Sequence, residues 1–196
     1  MKKQAKSNRQ MRGYSILELL VSVAIISICS AFAAPSLLRT YRSSQMDDAA
    51  NQVAGILKFT RSQAIRRNTT VNCVNTEPTV GGALTMWSDD NGDSIAQNTE
   101  KQIFLSNTSA SNATLVAAGS VQNTAALATA VNAGVLTAVS PNNGTIAFDG
   151  RGAVNPAAVN IYYVGNAAYG FRAIIVMPSG SMQVWSYATG TWRQLN

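Results

Sequence analysis

A short acidic segment, DDNGD at residues 89–93, offers the clearest grouping of side chains that could bind a metal ion. Oxygen ligands stand at Asp89, Asn91 and Asp93, the alternating positions with which a calcium loop of the EF-hand type begins. Ser94 follows where that pattern has its glycine. A plain Asp-Asn-Gly turn between two strands explains the same residues. We therefore predict a turn, and keep calcium binding as a weaker second interpretation.

Glu18 is a second residue of chemical interest, because it stands at the edge of a long apolar run. An acid near the start of a helix is favoured by the helix macrodipole, which is a sufficient explanation if the helix stays alone in a membrane. If several such helices pack together, an unpaired carboxylate among them costs about 3–5 kcal/mol, so a cationic partner is expected.

Catalytic side chains are poorly represented. The chain contains no His, which removes the usual general base, the Ser-His and Cys-His nucleophile pairs and most transition-metal sites. It also has no nucleophile elbow and no phosphate-binding loop. We predict that the protein is not an enzyme and that it needs no cofactor.

The formal net charge of +6 is concentrated at the N-terminus. Five basic residues and no acid lie in the first thirteen positions, which leaves ten basic against nine acidic residues in the rest of the chain. The overall basicity therefore says little about the body of the protein. The five basic residues are Lys2, Lys3, Lys6, Arg9 and Arg12.

Weak candidates for contact with DNA are the basic residues of the last part of the chain, Arg151, Arg172 and Arg193. Aromatic side chains on the same segment could stack on bases, but aromatic residues of a small sheet more often cover its core. DNA binding is therefore not expected. The aromatic residues concerned are Trp185, Tyr187 and Trp192.

Periodicity indicates the elements that must position these residues. Residues 19–38 carry no formal charge, and as a helix they would be about 30 Å long, enough to cross a bilayer. Apolar residues then recur at helical spacing, which predicts one helix over residues 14–67 with Pro35 as a bend. The predicted buried stripe consists of Met46, Ala49, Ala50, Val53, Ile56, Leu57, Thr60, Ala64 and Ile65. Three arginines near the helix end complement the dipole: Arg61, Arg66 and Arg67.

A cleaved signal peptide is the alternative for the apolar run, since SAFAAPS at residues 30–36 weakly resembles a cleavage site. The acid near its start and the helical pattern beyond it favour an anchor instead. The basic leader then places the N-terminus in the cytoplasm and the body of the protein outside. Cys29 and Cys73 would lie on the order of 60 Å apart along such a helix, so no disulfide is expected.

The remainder of the chain predicts β-structure, and the fold class is α+β. Residues 102–148 carry no formal charge and are predicted to form surface loops and edge strands, or alternatively a surface for a partner. The sequence MPSGSM at residues 177–182 predicts a hairpin turn. Strands are predicted at residues 70–74, 83–87, 102–106, 145–149, 159–164, 171–177 and 182–187.

The N-terminal sequence RG followed by YSILELLVSVAIIS resembles the class III leader and first helix of type IV prepilins and type II secretion pseudopilins. This resemblance implies that a prepilin peptidase cuts between Gly13 and Tyr14 and that the new N-terminus is methylated. Tyr14 departs mildly from the usual Phe of that family. The resemblance also implies that Glu18 pairs with the methylated amine of Tyr14 in a neighbouring subunit and so sets the register of docking into a filament.

The same resemblance implies a division of the chain. Residues 1–13 would be a cleaved leader, residues 14–38 a transmembrane and assembly helix, and residues 39–68 its amphipathic continuation. Residues 69–196 would form a periplasmic or extracellular β-rich head. The result is a lollipop of one long helix packed on an antiparallel sheet.

A second resemblance covers more of the chain. The helix end AGILKFTRSQAIRRNTTVNCV, the Trp before the Asp-Asn-Gly loop, TIAFDGRG and the final hairpin are similar to the GspH/FimT/FimU group of minor pilins and pseudopilins. Some FimT-like members bind DNA through a Gly-Arg-x-Arg motif. Here that turn reads Gly180, Ser181, Met182, Gln183, so both arginines are missing.

The resemblance implies a minor type IV pilin that helps to prime pilus assembly near the tip, for twitching motility, adhesion or DNA uptake. The alternative is a GspH-like minor pseudopilin of a type II secretion system. The expected partners are other pilins or pseudopilins in a hetero-oligomeric filament, the prepilin peptidase/methyltransferase, the inner-membrane assembly platform and, before assembly, inner-membrane lipid. The expected location is the bacterial inner membrane and then the filament.

Overall fold

The computed structural model describes residues 15–76, 83–106, 113–166 and 170–195. The leader and the pair Gly13 and Tyr14 lie outside the described residues. The chain divides into two compact units, residues 1–40 and residues 41–196, and each is described by itself.

Helix α1 spans Ile16–Arg67, which confirms the single long helix that periodicity predicts. Ser15 caps its start, since its side-chain oxygen accepts the N–H of Leu17 at 3.3 Å. At the other end Asn68 adopts a left-handed backbone conformation, with a φ of 50°. The N–H of Thr69 then reaches the carbonyl of Ala64 at 3.2 Å, as in a Schellman motif.

By length and composition α1 is able to cross a membrane, a test that a signal sequence near an N-terminus would also pass. Pro35 lies inside α1, and helix continues on both sides of it. The bend at Pro35 stays a prediction.

In the second unit, the later part of α1 buries one stripe, as predicted, with Ala54 added to it. The prediction for Ile65 is wrong, because this side chain is 47% exposed. Ala64, its neighbour, faces the core, and the next residue of a helix points about 100° away from it. Ile65 lies beside the turn at Gly152 instead.

All seven predicted strands are confirmed, with ends that differ by at most two residues. The described strands are β1 Val71–Asn75, β2 Ala83–Asp89, β3 Gln102–Ser106, β4 Leu115–Val116, β5 Thr137–Ala138, β6 Thr145–Phe148, β7 Asn160–Asn166, β8 Gly170–Val176, β9 Met182–Ala188 and β10 Thr191–Gln194. Four of them form one antiparallel sheet in the order β3-β2-β1-β6. The others form a second sheet in the order β10-β9-β8-β7-β4, and β5 adds to β7 in parallel.

The second sheet is covered on both faces, because alternate side chains of each strand belong to different cores. Tyr162 and Ile174 belong to the core that contains the stripe of α1. Ile161 and Ile175 belong to a second core, which is closed by Leu127 of a short helix α2, Thr124–Ala130. The uncharged segment therefore supplies a cover for the sheet as well as the predicted edge strands.

The aromatic residues near the C-terminus belong to this second core. Trp185 and Trp192 are buried in it, and Tyr187 packs against it. The indole N–H of Trp192 donates to the carbonyl of Asn123 at 3.1 Å, which ties β10 to the start of α2. The interpretation of these aromatics as core residues is confirmed.

Both cysteines are free, as predicted. Cys73 is fully buried on β1, and this burial raises the pKa of its thiol from 9.0 to about 12 against a smaller opposing effect of a hydrogen bond with Thr60. Burial, and then the nearby Cys73, also raise the pKa of the Tyr162 phenol. Both groups keep their protons in the folded chain at a pH where the unfolded chain loses them.

The contribution of these two groups to the free energy of unfolding should therefore be constant below about pH 9 and fall above it. The unfolded thiol ionises first, so Cys73 alone contributes a loss of about 1.4 kcal/mol per pH unit until the folded pKa is reached. We expect Cys73→Ala to flatten this slope between pH 9 and 10, which urea titrations followed by Trp fluorescence can measure. Cys29→Ala is the matched control and should keep the wild-type slope; equal slopes in the two variants would contradict the prediction.

Candidate functional site

The described part of the first unit is one helical segment with an uncovered apolar surface. Its large apolar side chains are between 49% exposed, at Val21, and 86% exposed, at Ile16. A continuous apolar surface of this length requires lipid or other protein chains to cover it. The exposed residues include Leu17, Leu19, Leu20, Val23, Ile25, Ile26, Ile28, Phe32, Leu37 and Leu38.

Hydroxyl groups on this segment are satisfied by the helix itself. Ser22 donates to the carbonyl of Glu18 at 2.7 Å, and Ser27 and Ser30 make the same bond to the carbonyl four residues before them at 2.8 Å. Such bonds remove the cost of placing a hydroxyl in an apolar environment. They need no partner outside the helix.

Glu18 is different, because its carboxylate accepts no hydrogen bond and forms no ion pair within the described part of the chain. Ser15 and Glu18 have the S-x-x-E spacing of a capping box, a signal that sequence reasoning missed. The side chain of Ser15 makes a capping bond, since it accepts the N–H of Leu17. The reciprocal bond of a capping box, from the N–H of Ser15 to the carboxylate of Glu18, is not formed. The carboxylate is thus free to meet a partner, and its pairing with the amine of Tyr14 stays a prediction.

The acidic loop brings three carboxylates together. Oxygens of Asp89, Asp93 and Glu100 lie within 4.8 Å of one another. Asn91, the remaining predicted ligand, is not part of this group. Its side-chain amide donates a hydrogen bond within the loop, to Asp93 at 2.9 Å. Glu100 was not among the predicted ligands, although it follows Asp89 by eleven residues and so takes the twelfth position, where an EF-hand loop has its glutamate.

Backbone groups already serve the two buried carboxylates of this loop. Asp89 accepts the N–H groups of Gly92 at 2.7 Å and Ser94 at 3.1 Å. Glu100 accepts those of Asp90 at 3.0 Å and Gln97 at 3.1 Å. These bonds hold the loop as a closed turn without any further ligand, and calcium binding stays a prediction.

The three candidate arginines for DNA are not equivalent. Arg172 is only 4% exposed, so its guanidinium is not available to a phosphate. It is therefore removed from the candidate residues for DNA contact. It pairs with Asp47 and donates to Ser43 at 2.9 Å, which anchors β8 to α1. Arg151 and Arg193 are exposed. These two exposed arginines, on a nearly neutral head, are a small electrostatic footprint for nucleic acid.

Arg61 has a larger role than the predicted complement to the helix dipole. Its Nε donates to the carbonyl of Gly152 at 2.9 Å, and its Nη2 donates to that of Ser179 at 3.3 Å. The helix end thus holds two turns, one before β7 and one between β8 and β9. Arg67 bonds in a similar way to the acidic loop, through an ion pair of 2.8 Å with Asp90.

Comparisons with known proteins bear on both the N-terminal segment and most of the rest of the chain. A family model described as type II transport protein GspH matches residues 49–180. A second family model, described as the prokaryotic N-terminal methylation motif, matches residues 8–34. Type II secretion system protein H of Xanthomonas campestris pv. campestris is 36% identical over 61 residues, which is 31% of this chain and 36% of that protein. The match therefore spans about a third of the length of this curated relative.

Among solved structures, the chain is similar to the type IV minor pilin FimU of Pseudomonas aeruginosa. The TM-score is 0.46 at 15% sequence identity, and the match covers 76% of this chain and 93% of that chain.

Proposed function

Because the chain belongs to the GspH family of type II transport proteins, we propose that it is a minor subunit of a filament of the pilin class. In this role the apolar part of α1 packs among the corresponding helices of other subunits. The second unit forms a head that contacts neighbouring heads or external partners. The protein acts by assembly and carries out no catalysis.

The observation that carries this proposal is the first helical segment. It exposes apolar side chains along its length, it satisfies its serine hydroxyls internally, and it bears Glu18 as the one formal charge of residues 15–38. In a simple membrane anchor the carboxylate would do no more than complement the helix macrodipole. A helix that associates with similar helices can use it to fix register.

Processing at the N-terminus follows from the same proposal. The prepilin peptidase removes residues 1–13 by cutting between Gly13 and Tyr14, and the amine of Tyr14 is then methylated. The match of the N-terminal methylation motif to residues 8–34 supports this step. Residues 14–38 then form the assembly helix, residues 39–68 its continuation and residues 69–196 the head.

The location changes during the life of the protein. The basic leader keeps the N-terminus in the cytoplasm, and the helix anchors the subunit in the inner membrane with its head in the periplasm. The assembly platform then transfers the subunit from lipid into the filament.

Two filaments fit this role, and we take the type IV pilus as the first assignment. The uncharged segment at residues 102–148, rich in Ala, Asn, Ser and Thr, suits the exposed head of a surface pilus near its tip. The type II secretion pseudopilus is the second assignment. The family description and the curated relative favour it, since both carry the name of a type II system protein.

Deletion of the gene separates the two assignments. For the pilus, we expect twitching motility and surface piliation to be lost while exoprotein secretion continues. For the pseudopilus, we expect exoproteins to accumulate in the periplasm while motility is unchanged. The measurements are the twitching zone on agar and the ratio of periplasmic to secreted exoprotein, with each phenotype restored by the wild-type gene. A deletion that changes neither would contradict the proposed function.

A further inference from the structure

A groove of about 400 Å³ lies on the second unit between α1 and strand β3. Its floor is apolar and buried, and consists of Ala49, Leu105 and Ala113. Its rim is polar and includes Asp48 and Gln52 of α1. An apolar centre surrounded by polar groups is the usual anatomy of a protein–protein interface.

Two aromatic side chains flank this groove and are largely uncovered. Tyr41 is 60% exposed and Phe104 is 62% exposed. Aromatic residues are enriched at protein interfaces because a rigid ring buries much apolar area when a partner covers it.

Polar groups in the groove lack partners of the opposite kind. The side-chain oxygen of Gln45 is buried and accepts no hydrogen bond. The carboxylate of Asp48 is exposed, and within the described part of the chain it forms no ion pair or hydrogen bond. Neither Lys nor Arg is among the described residues that line the groove. The groove is therefore complementary to a ligand that supplies hydrogen-bond donors and positive charge.

Strand β3 adds a further set of unmet groups. It stands at the end of its sheet and, among the described strands, pairs only with β2. Within the described ranges, the backbone N–H and C=O groups on its outer edge therefore have no sheet partner. A polypeptide can pair with such an edge in register, whereas a saccharide has no repeating row of these groups.

We propose that this groove is where a neighbouring filament subunit docks, by inserting a Lys or Arg side chain toward Asp48 and the Gln45 oxygen. The inference rests on the proposed function, because the neighbour is defined by the filament. Tyr41 follows directly on the helical segment that the filament packs, since α1 is continuous through this residue. Along the chain, the groove therefore begins where that segment ends.

Site-specific photo-cross-linking in intact cells tests this inference with the full-length chain. Phe104 is replaced by p-benzoylphenylalanine, and exposed Val135, outside the groove, is replaced in the same way as a control. We expect position 104 to capture a different subunit with a processed apolar N-terminal helix, identified by mass spectrometry. Asp48→Lys should lower this yield about fivefold or more, the effect of about 1 kcal/mol on an interface.

Asn51→Lys is the matched variant, since Asn51 is exposed on the same helix but does not line the groove, and it should leave the yield unchanged. Equal yields at positions 104 and 135, equal effects of the two lysine variants, or capture of a second copy of this chain or of a saccharide would overturn the inference. A photo-reactive residue in place of Leu38 distinguishes failure of the groove hypothesis from failure of the proposed filament role. Subunit capture at Leu38 without capture at 104 contradicts only the groove, whereas no capture at either contradicts the filament role.

Discussion

Replacing Glu18 by Ala is expected to lower the amount of this chain in purified filaments by about tenfold or more. In the proposed filament the carboxylate neutralises the terminal amine of a neighbouring Tyr14. Without it, that amine is left unpaired among apolar helices, which costs about 3–5 kcal/mol. The variant helix remains as apolar as before, so we expect normal insertion into the membrane.

The measurement is the ratio of this chain to the major subunit in sheared filaments, by quantitative mass spectrometry, with the membrane fraction as reference. Glu18→Gln should behave like Glu18→Ala, because charge matters more than size. Ser22→Ala is the matched control one turn along the helix, since it removes a hydroxyl that bonds only its own backbone. If Glu18→Ala co-purified with filaments at the wild-type ratio, the role of Glu18 in assembly would be wrong.

Gly180→Ala is expected to destabilise the head by about 3 kcal/mol or more. Gly180 has a φ of 77°, and a Cβ there would lie 1.9 Å from the carbonyl oxygen of Gly152 and 2.6 Å from Nε of Arg61. Strain at a left-handed position costs about 1–3 kcal/mol for a residue with a side chain. Displacing Gly152 would also weaken the charged hydrogen bond from Arg61, which contributes about 1.5–3 kcal/mol.

Gly92→Ala separates the two effects. Gly92 has nearly the same backbone angle, a φ of 79°, but a Cβ there would meet no atom within 4 Å. It should cost only about 1–2 kcal/mol, the strain of the left-handed conformation. Unfolding of the full chain in detergent, followed by the fluorescence of its three Trp residues, measures both variants. Equal losses would show that the approach of Gly180 to Gly152 does not matter.

The long helix and the main strands could be predicted because each has a strong period over many residues. Helix α1 keeps its apolar stripe from Met46 to Ala64, and the strands of the second sheet are rich in Ile, Val and Tyr. Helix α2 gave no comparable signal. It is seven residues long, made of Ala, Thr and a single buried Leu127, so only its packing against the sheet distinguishes it from a loop.

The candidate site was predictable only in part. Glu18 could be found from sequence because its environment is local: one acid beside an apolar run. The pair of Asp47 and Arg172 could not, because 125 residues separate the two and nothing near either residue indicates the other. Arg172 consequently looked like a free base although it is buried. The groove beside β3 is hidden for the same reason, since its walls come from α1 and from a strand far along the chain.

The serine hydroxyls that bond back to their own helix affect the work of moving this helix out of a bilayer. Lipid tails and the apolar side chains of neighbouring helices are similar solvents, so the exchange between them has little hydrophobic driving force in either direction. The hydroxyls donate to carbonyl groups of the same helix, so their hydrogen bonds stay intact when the helix leaves the lipid; this applies to Ser22, Ser27 and Ser30. The energetic difference between the two environments is then concentrated at Glu18. A machine that extracts this subunit would therefore work against a small change in free energy along most of the transfer from lipid to filament. The pairing of Glu18 at the end of the transfer would then favour the filament.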